Sequence, residues 1–370
     1  MKKIEIKKLV RSNVHSLRAY SVKEIPCKIK LDANESPYSA FSVQSPHSPQ
    51  RTRLSAGATR LGERSAFSVE KIFQTLNRYP DPEAKTLKGI IAKNIKLKPE
   101  NILLGNGSDE LIYYLVTTFG GPVLYPVPTF SMYGIISQVL GEKGIAIKLD
   151  NEFDLNPDKI LTAIKKLKPK LIFLSSPNNP TGNCFSSDKI LKIIEVSKGI
   201  VVVDEAYQPF SSERGFLPLL RDYKNLVIMR TLSKIGLAGL RVGFLIADAG
   251  IIKEVNKVRL PFNVNLLSQA IAAKALKNKR MMGRYISTIV SERERLFDEL
   301  SEIKGIKPYP TEANFILFKI KNSDKVYQKL LKKGVLVRNM KGVVNGCLRV
   351  TVGTKNENNS FLKALKEVIK

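Results

Sequence analysis

Between about residues 85 and 260, short apolar runs rich in β-branched residues alternate with longer amphipathic stretches. That alternation predicts strands buried on both faces with helices crossing over them, a mostly parallel sheet covered on both sides. The stretch NILLGNGSDELIYYLVTTFGG (101–121) predicts a strand, a turn at Gly105, Asn106 and Gly107, and a helix with Ser108 as N-cap and Asp109 and Glu110 in its first turn. VVVD (201–204) and NLVIMR (225–230) predict further buried strands. After Pro261 the pattern predicts helices over about 264–278 and 284–303, a strand at 313–320, and a helix around 324–333. Short strands at 335–339 and 347–353 and a closing helix, FLKALKEVIK, follow. The expected fold is α/β: a large domain over 70–260 with a mostly parallel sheet flanked by helices, and a smaller α+β domain over 261–370. Residues 1–38 are expected to pack on the small domain and its pocket.

One stretch breaks the pattern. SAFSV occurs at 39–43 and again at 65–69, and QSPHSPQRTRLSAGATRLGER between them has four Arg and no Lys. It has neither helical nor strand periodicity and exceeds the ~15 residues beyond which structureless loops are uncommon in compact domains. Residues 39–69 read as an inserted flexible surface loop flanked by a direct repeat; removing 40–65 rejoins the text as NESPYSAFSVEKIFQTLNRYP.

A chain of 370 residues has enough length for about two domains. Its first residues, MKKIEIKKLVRSNV, lack the apolar run of a signal peptide, and no segment reaches the ~18 apolar residues of a membrane span. The expected location is the cytoplasm, without a membrane partner. Cys27, Cys184 and Cys347 are odd in number and widely separated, and only His15 and His47 are present. This argues against a disulfide framework, a metal centre and a Ser-His-Asp triad. The net charge of +28 suits nucleic acid in principle, but the lysines are spread over nearly every helical segment and no recognition motif appears. A general field that gathers anionic small molecules is the better reading.

Three motifs place polar groups where apolar strands end: PNNPTG (177–182), VVVDEAY (201–207) and TLSKIGLAGLRVGF (231–244). Ligands of open parallel α/β sheets bind outside the carboxyl ends of the strands. The inventory is Asn179, Asp204, Tyr207, Ser233, Lys234 and Arg241, which suits a phosphorylated pyridine aldehyde, pyridoxal 5'-phosphate. A carboxylate at Asp204 would protect the ring-nitrogen proton; the competing use of a strand-end acid is as a helix N-cap. Tyr207 and Asn179 can bond the phenolic oxygen. Lys234 can take the aldehyde and, once displaced by a substrate amine, carry a proton between two carbons. Ser233, Arg241 and the amides at Gly107, Ser108 and Asp109 suit the phosphate, and VPTFSMY offers Phe130 and Tyr133 to stack on the ring.

These runs resemble the fold-type-I pyridoxal-phosphate aminotransferases, in their histidinol-phosphate aminotransferase branch. The likeness covers nearly the whole chain outside the insert: VRSNV, LDANESP (31–37), NRYPDPEAKTLK (77–88), GNGSDELI, PVPTFSMY, PNNPTG, VVVDEAY, RTLSKIGLAGLRVGF, LPFNVN (260–265), EANF (312–315) and CLRVTVGT (347–354). PNNPTG, DEAY and SK followed by R are shared by many related aminotransferases, whereas GNGSDE, RTLSK with GLAGLR, and CLRVTVGT narrow the likeness to this branch. The spacing of seven residues from Lys234 to Arg241 is one shorter than in many relatives, and a PGKP-like turn before Asn34 is missing.

The resemblance implies Lys234 as the cofactor lysine, Asp204 as ring-nitrogen partner, Tyr207 and Asn179 on the phenolic oxygen, and Tyr133 stacked on the ring. It puts Gly107, Ser108, Asp109, Ser233 and Arg241 around the phosphate, and brings Tyr79 from the neighbouring subunit, hence a homodimer. Arg349 would grip a substrate carboxylate, Arg338 the substrate phosphate, and Asn34 would lie in a segment covering the pocket. The implied reaction exchanges an amino group between L-histidinol phosphate and 2-oxoglutarate. Aromatic amino-acid aminotransferases and threonine-phosphate decarboxylases would share every cofactor residue; a DNA-binding regulator on this fold would need a further domain. Arg338 also reads as a plain surface charge beside Lys332 and Lys333.

Overall fold

The computed structural model describes residues 25–38, 72 and 74–369. The expected insert at 39–69 and the VRSNV run lie outside the described residues.

The strands β2 (Ile102–Asn106), β3 (Val123–Val127), β4 (Gly144–Lys148), β5 (Leu171–Ser175), β6 (Ile200–Asp204), β7 (Leu226–Thr231) and β8 (Val242–Ala247) form a seven-stranded sheet in the order β2-β8-β7-β6-β5-β3-β4. The neighbours from β7 through β6, β5 and β3 to β4 run parallel, and β8 is antiparallel to both β2 and β7. Strands such as IVVVD and LIFLS are buried residue after residue. Both faces of a covered parallel sheet are core, so unbroken apolar runs suit these positions.

Helices α1 (Lys85–Ile95), α2 (Ser108–Phe119), α3 (Met132–Val139), α4 (Pro157–Leu167), α5 (Ser187–Val196) and α6 (Ala249–Asn256) cover the sheet. Two apolar clusters lie on its opposite faces: one includes Leu104, Ile172, Val203 and Ile228, the other Leu103, Phe173, Val202 and Met229. The strict alternation of neighbouring strand residues between clusters is the period of two that a strand imposes. Local chemistry fixes the helix starts: Asn156 accepts from the Lys159 amide at 3.1 Å ahead of α4, where Pro157 needs no partner.

A second sheet takes β1 (Ile29–Leu31), β9 (Ile306–Pro308), β10 (Phe315–Ile320), β11 (Val335–Asn339) and β12 (Cys347–Thr351) in the order β1-β11-β12-β10-β9. It is antiparallel except where β1 joins β11 in parallel. Helices α8 (Lys279–Ser301), α9 (Ser323–Lys332) and α10 (Lys355–Ile369) contribute Leu296, Leu300, Leu330, Phe361 and Leu365 to its core.

Two sequence expectations shift. Val264, Ala272, Ala273, Ala275 and Met282 belong to the core beside the seven-stranded sheet, so α7 (Leu266–Lys277) packs with the first unit although it follows the expected boundary at 261. The long helix α8 begins at Lys279, not 284, because Asn278 accepts from the Met281 amide at 3.2 Å and caps it directly after α7.

Candidate active site

The carboxyl ends of β5, β6 and β7 meet in one place. Asp204 closes β6, Ser175 closes β5 beside it in register, and β7 runs into a short 3-10 turn at Ser233–Ile235 that carries Lys234. Asp204 is 4% exposed. Its Oδ1 accepts from the Ala206 amide at 3.0 Å and its Oδ2 from the Tyr133 hydroxyl at 2.7 Å. Burial is the largest influence on the carboxyl and carries its pKa up to about 6, against the pull of those two donors and of Lys234. The competing use of Asp204 as an N-cap is not what the geometry gives: the residues after it form a turn and a three-residue 3-10 segment, Gln208–Phe210, whose N-cap position is Tyr207.

Lys234 is half-buried, with Nζ 5.7 Å from the centre of the Tyr207 ring. The Tyr207 hydroxyl accepts from Asn34 Nδ2 at 2.9 Å, and Asn34 is buried through its amide bond to Thr351 and the Asn314 bond to its carbonyl. Asn34 thereby joins the segment leading out of β1 to the mouth of the seven-stranded sheet.

Opposite lies the start of α2. Gly107, not Ser108, is the N-cap; its φ of +86° suits glycine, and Ser108 already has a helical place. A Cβ on Gly107 would stand 2.5 Å from Arg241 Nη2, and one on Gly243 would stand 2.8 Å from the Ser108 nitrogen. Two glycines therefore let the helix start, β8 and the Arg241 guanidinium crowd together. Arg241 also pairs with Asp109 at 3.2 Å on the exposed rim. Ser233 is held by Thr231, whose Oγ1 bonds both its hydroxyl at 2.9 Å and its amide at 3.1 Å.

Arg349 is 7% exposed and reaches across from β12: one Nη donates to Asn179 Oδ1, the other to the Asp32 carbonyl at 2.9 Å, with the guanidinium 5.0 Å from the Phe315 ring centre. Arg338 is exposed and directly opposite Arg349 in the β11–β12 register, so both side chains leave the same face of the sheet. Tyr79 stands apart, 81% exposed and stacked on Phe262 at 4.5 Å.

One expectation is overturned. Tyr133 has no exposed surface; its ring stacks on Phe173 at 4.8 Å under the sheet end, so it cannot lie against a ligand ring. Phe130, from the same run, is partly exposed with its ring edge-on to Tyr133 at 5.7 Å, and is the aromatic left to stack. The sequence reading also passed over Thr231, the Asp32 carbonyl and the Tyr133 hydroxyl, whose roles depend on side-chain direction. The residues fit pyridoxal phosphate: an acceptor-only carboxylate at the base, a lysine beside it, and a glycine-lined helix start with an arginine for the phosphate.

The chain matches the family model described as aminotransferase class I and II over residues 27–365. It is 43% identical to a histidinol-phosphate aminotransferase of Aquifex aeolicus, spanning 98% of each chain. A histidinol-phosphate aminotransferase of Caldanaerobacter subterraneus is 39% identical over 98% of this chain and 99% of that protein. Among solved structures, the histidinol-phosphate aminotransferase of Clostridium acetobutylicum superposes with a TM-score of 0.76 at 26% identity, covering 81% of this chain and 93% of that one. The enzyme of Sinorhizobium meliloti in complex with pyridoxal-5'-phosphate shares the fold, at a TM-score of 0.78, 23% identity and 97% of each chain. With the family model matching residues 27–365 and relatives of this identity along nearly its full length, the chain belongs to the histidinol-phosphate aminotransferases of the class I and II aminotransferase family.

Proposed function

We propose that the protein exchanges an amino group between L-histidinol phosphate and 2-oxoglutarate, giving imidazole acetol phosphate and L-glutamate in histidine biosynthesis. The observation that carries this is the meeting of Arg349 with Asn179 at the strand ends, beside Tyr207 and Lys234: a nearly buried guanidinium at the mouth of a pyridoxal-phosphate site is an anion clamp.

Pyridoxal phosphate, when bound, supplies an aldehyde for the amine and a protonated ring that withdraws electrons. In this reading Asp204 keeps the proton on the ring nitrogen, Tyr207 and Asn179 bond the phenolic oxygen, and Phe130 covers one face. Gly107, Ser108, Asp109, Ser233 and Arg241 hold the phosphate. Lys234 would be the base that takes the proton from the substrate carbon bearing the amine, and Arg349 would orient the substrate carboxylate. Arg338, on the same sheet face, takes the phosphate of histidinol phosphate, and Asn34 closes the pocket over Tyr207.

The working unit in this reading is a homodimer in which Tyr79, exposed on its own subunit, reaches the partner's phosphate site; sedimentation of the purified protein tests it. A role in histidine biosynthesis and three free thiols suit the cytoplasm.

The test is the visible spectrum of the purified holoenzyme before and after L-histidinol phosphate, with L-phenylalanine and L-threonine phosphate beside it. Selective bleaching by histidinol phosphate supports the reading. Bleaching only by another amine leaves the cofactor site and removes the substrate.

A further inference from the structure

The Tyr133 hydroxyl donates to Asp204 Oδ2 at 2.7 Å, and the Ser175 hydroxyl at the end of β5 is its other side-chain hydrogen-bond partner. The ring is held by other means: the Phe173 stack, only 9° from coplanar, and the edge-on contact of Phe130. The α3 turn is closed by the Ser137 hydroxyl on the Tyr133 carbonyl at 2.6 Å. Removing the hydroxyl would leave this packing in place and take one of two close donors from a buried carboxylate.

We infer that Tyr133 is a positioning residue for the reaction: its hydroxyl holds Asp204 as an oriented carboxylate, ready to accept from the ring nitrogen of the cofactor. The inference rests on the proposed role of Asp204. A carboxylate only accepts hydrogen bonds, whereas a carboxylic acid presents a proton that a protonated ring nitrogen cannot take up. Burial drives Asp204 toward the acid, and of everything that opposes burial the Tyr133 bond is the largest influence, ahead of the Ala206 amide and the Lys234 charge. Asp109 acts the other way, raising the carboxyl, and Tyr207 adds to the charge surroundings of Tyr133 itself. Each remaining lone pair of Asp204 then faces a direction set by Tyr133 on one oxygen and by the backbone on the other.

The experiment is an equilibrium titration of the cofactor-free protein with pyridoxal phosphate across pH, for wild type, Tyr133→Phe, Phe173→Leu and Asp204→Asn, with the thermal midpoint of each. Tyr133→Phe is expected to weaken cofactor affinity about tenfold at neutral pH and to move the pH below which affinity falls upward by about one unit. Phe173→Leu loosens the ring stack and is expected to lower the thermal midpoint while leaving that pH in place. A Tyr133→Phe protein whose affinity falls at the wild-type pH would overturn the inference, whatever its thermal midpoint. If Asp204→Asn binds cofactor as wild type does, the role of Asp204 itself falls, and the inference with it. Loss of affinity in Asp204→Asn with no effect of Tyr133→Phe removes only the inference.

Discussion

Glu205, which is buried, and Arg230, which is half-buried, form an ion pair between the ends of β6 and β7: Glu205 Oε2 accepts from Arg230 Nε at 2.8 Å and Nη2 at 2.7 Å. The other carboxylate oxygen accepts from the Phe216 amide at 2.6 Å, and the Glu205 side chain has no exposed surface. Glu205 follows Asp204, and Arg230 lies four residues before Lys234. The pair therefore ties the strand that ends in the carboxylate to the strand that leads to the lysine. Arg230→Met leaves a buried carboxylate without its counter-ion, and the cofactor-free protein is expected to lose about 3 to 5 kcal/mol of stability in urea unfolding. A loss under 1 kcal/mol would show that the pair is not needed to hold the strand ends.

Asp204 predicts a stability that depends on pH. Its folded pKa of about 6 is above the unfolded value of 3.8. Between those values the folded chain binds more protons than the unfolded one, so this group's contribution becomes less favourable as pH rises. Above pH 6 the full cost is present, about 3 kcal/mol by the size of the shift. Asp204→Asn should thus stabilise the cofactor-free protein at pH 8 by an amount of that order and have little effect near pH 3.5. Urea unfolding at the two pH values measures it; equal effects at both would contradict the sign.

Arg349→Lys is expected to lower kcat/KM for L-glutamate by about ten- to a hundredfold, since an ammonium cannot copy a planar fork held between Asn179, Asp32 and the Phe315 ring. Steady-state kinetics with glutamate as donor reads this directly. Unchanged kcat/KM would take the carboxylate role from Arg349.

At Gly243 the obstacle to a side chain is backbone: the added Cβ would meet Gly107 carbon and Ser108 nitrogen, each at 2.8 Å. Gly243→Ala must push the start of α2 off β8. Affinity for pyridoxal phosphate should fall at least tenfold, while an Ala at Gly239, where a Cβ meets nothing within 4 Å, should leave it intact. Matched titrations of the two variants supply the comparison.

Much of this was legible from the residues. VLVRN at 335–339 is β11 as expected, and the unbroken apolar runs of β5, β6 and β7 announce strands buried on two faces. Three kinds of information were not local. The direction of β8 is invisible in VGFLIA, which reads alike parallel or antiparallel. β1 and β9 are three residues each and owe their conformation to the strands they join. Phe130 and Tyr133 lie on either side of the start of α3, so which ring faces the pocket depends on how that helix leans on Phe173.

The antiparallel pairing of β7 with β8 carries a kinetic consequence. Lys234 and Arg241, which address opposite ends of the cofactor in the proposed reading, lie on the connection inside one hairpin. Bringing them together requires closing a loop of about ten residues, an event that takes ~10–100 ns in an unfolded chain. Asp204, by contrast, comes from a parallel strand, and Arg349 from a strand more than a hundred residues further along. In the proposed reading, Ser233, Lys234 and Arg241 can therefore come together through local chain closure, whereas Asp204, the start of α2 and Arg349 must reach them across longer loops, whose closure costs more entropy.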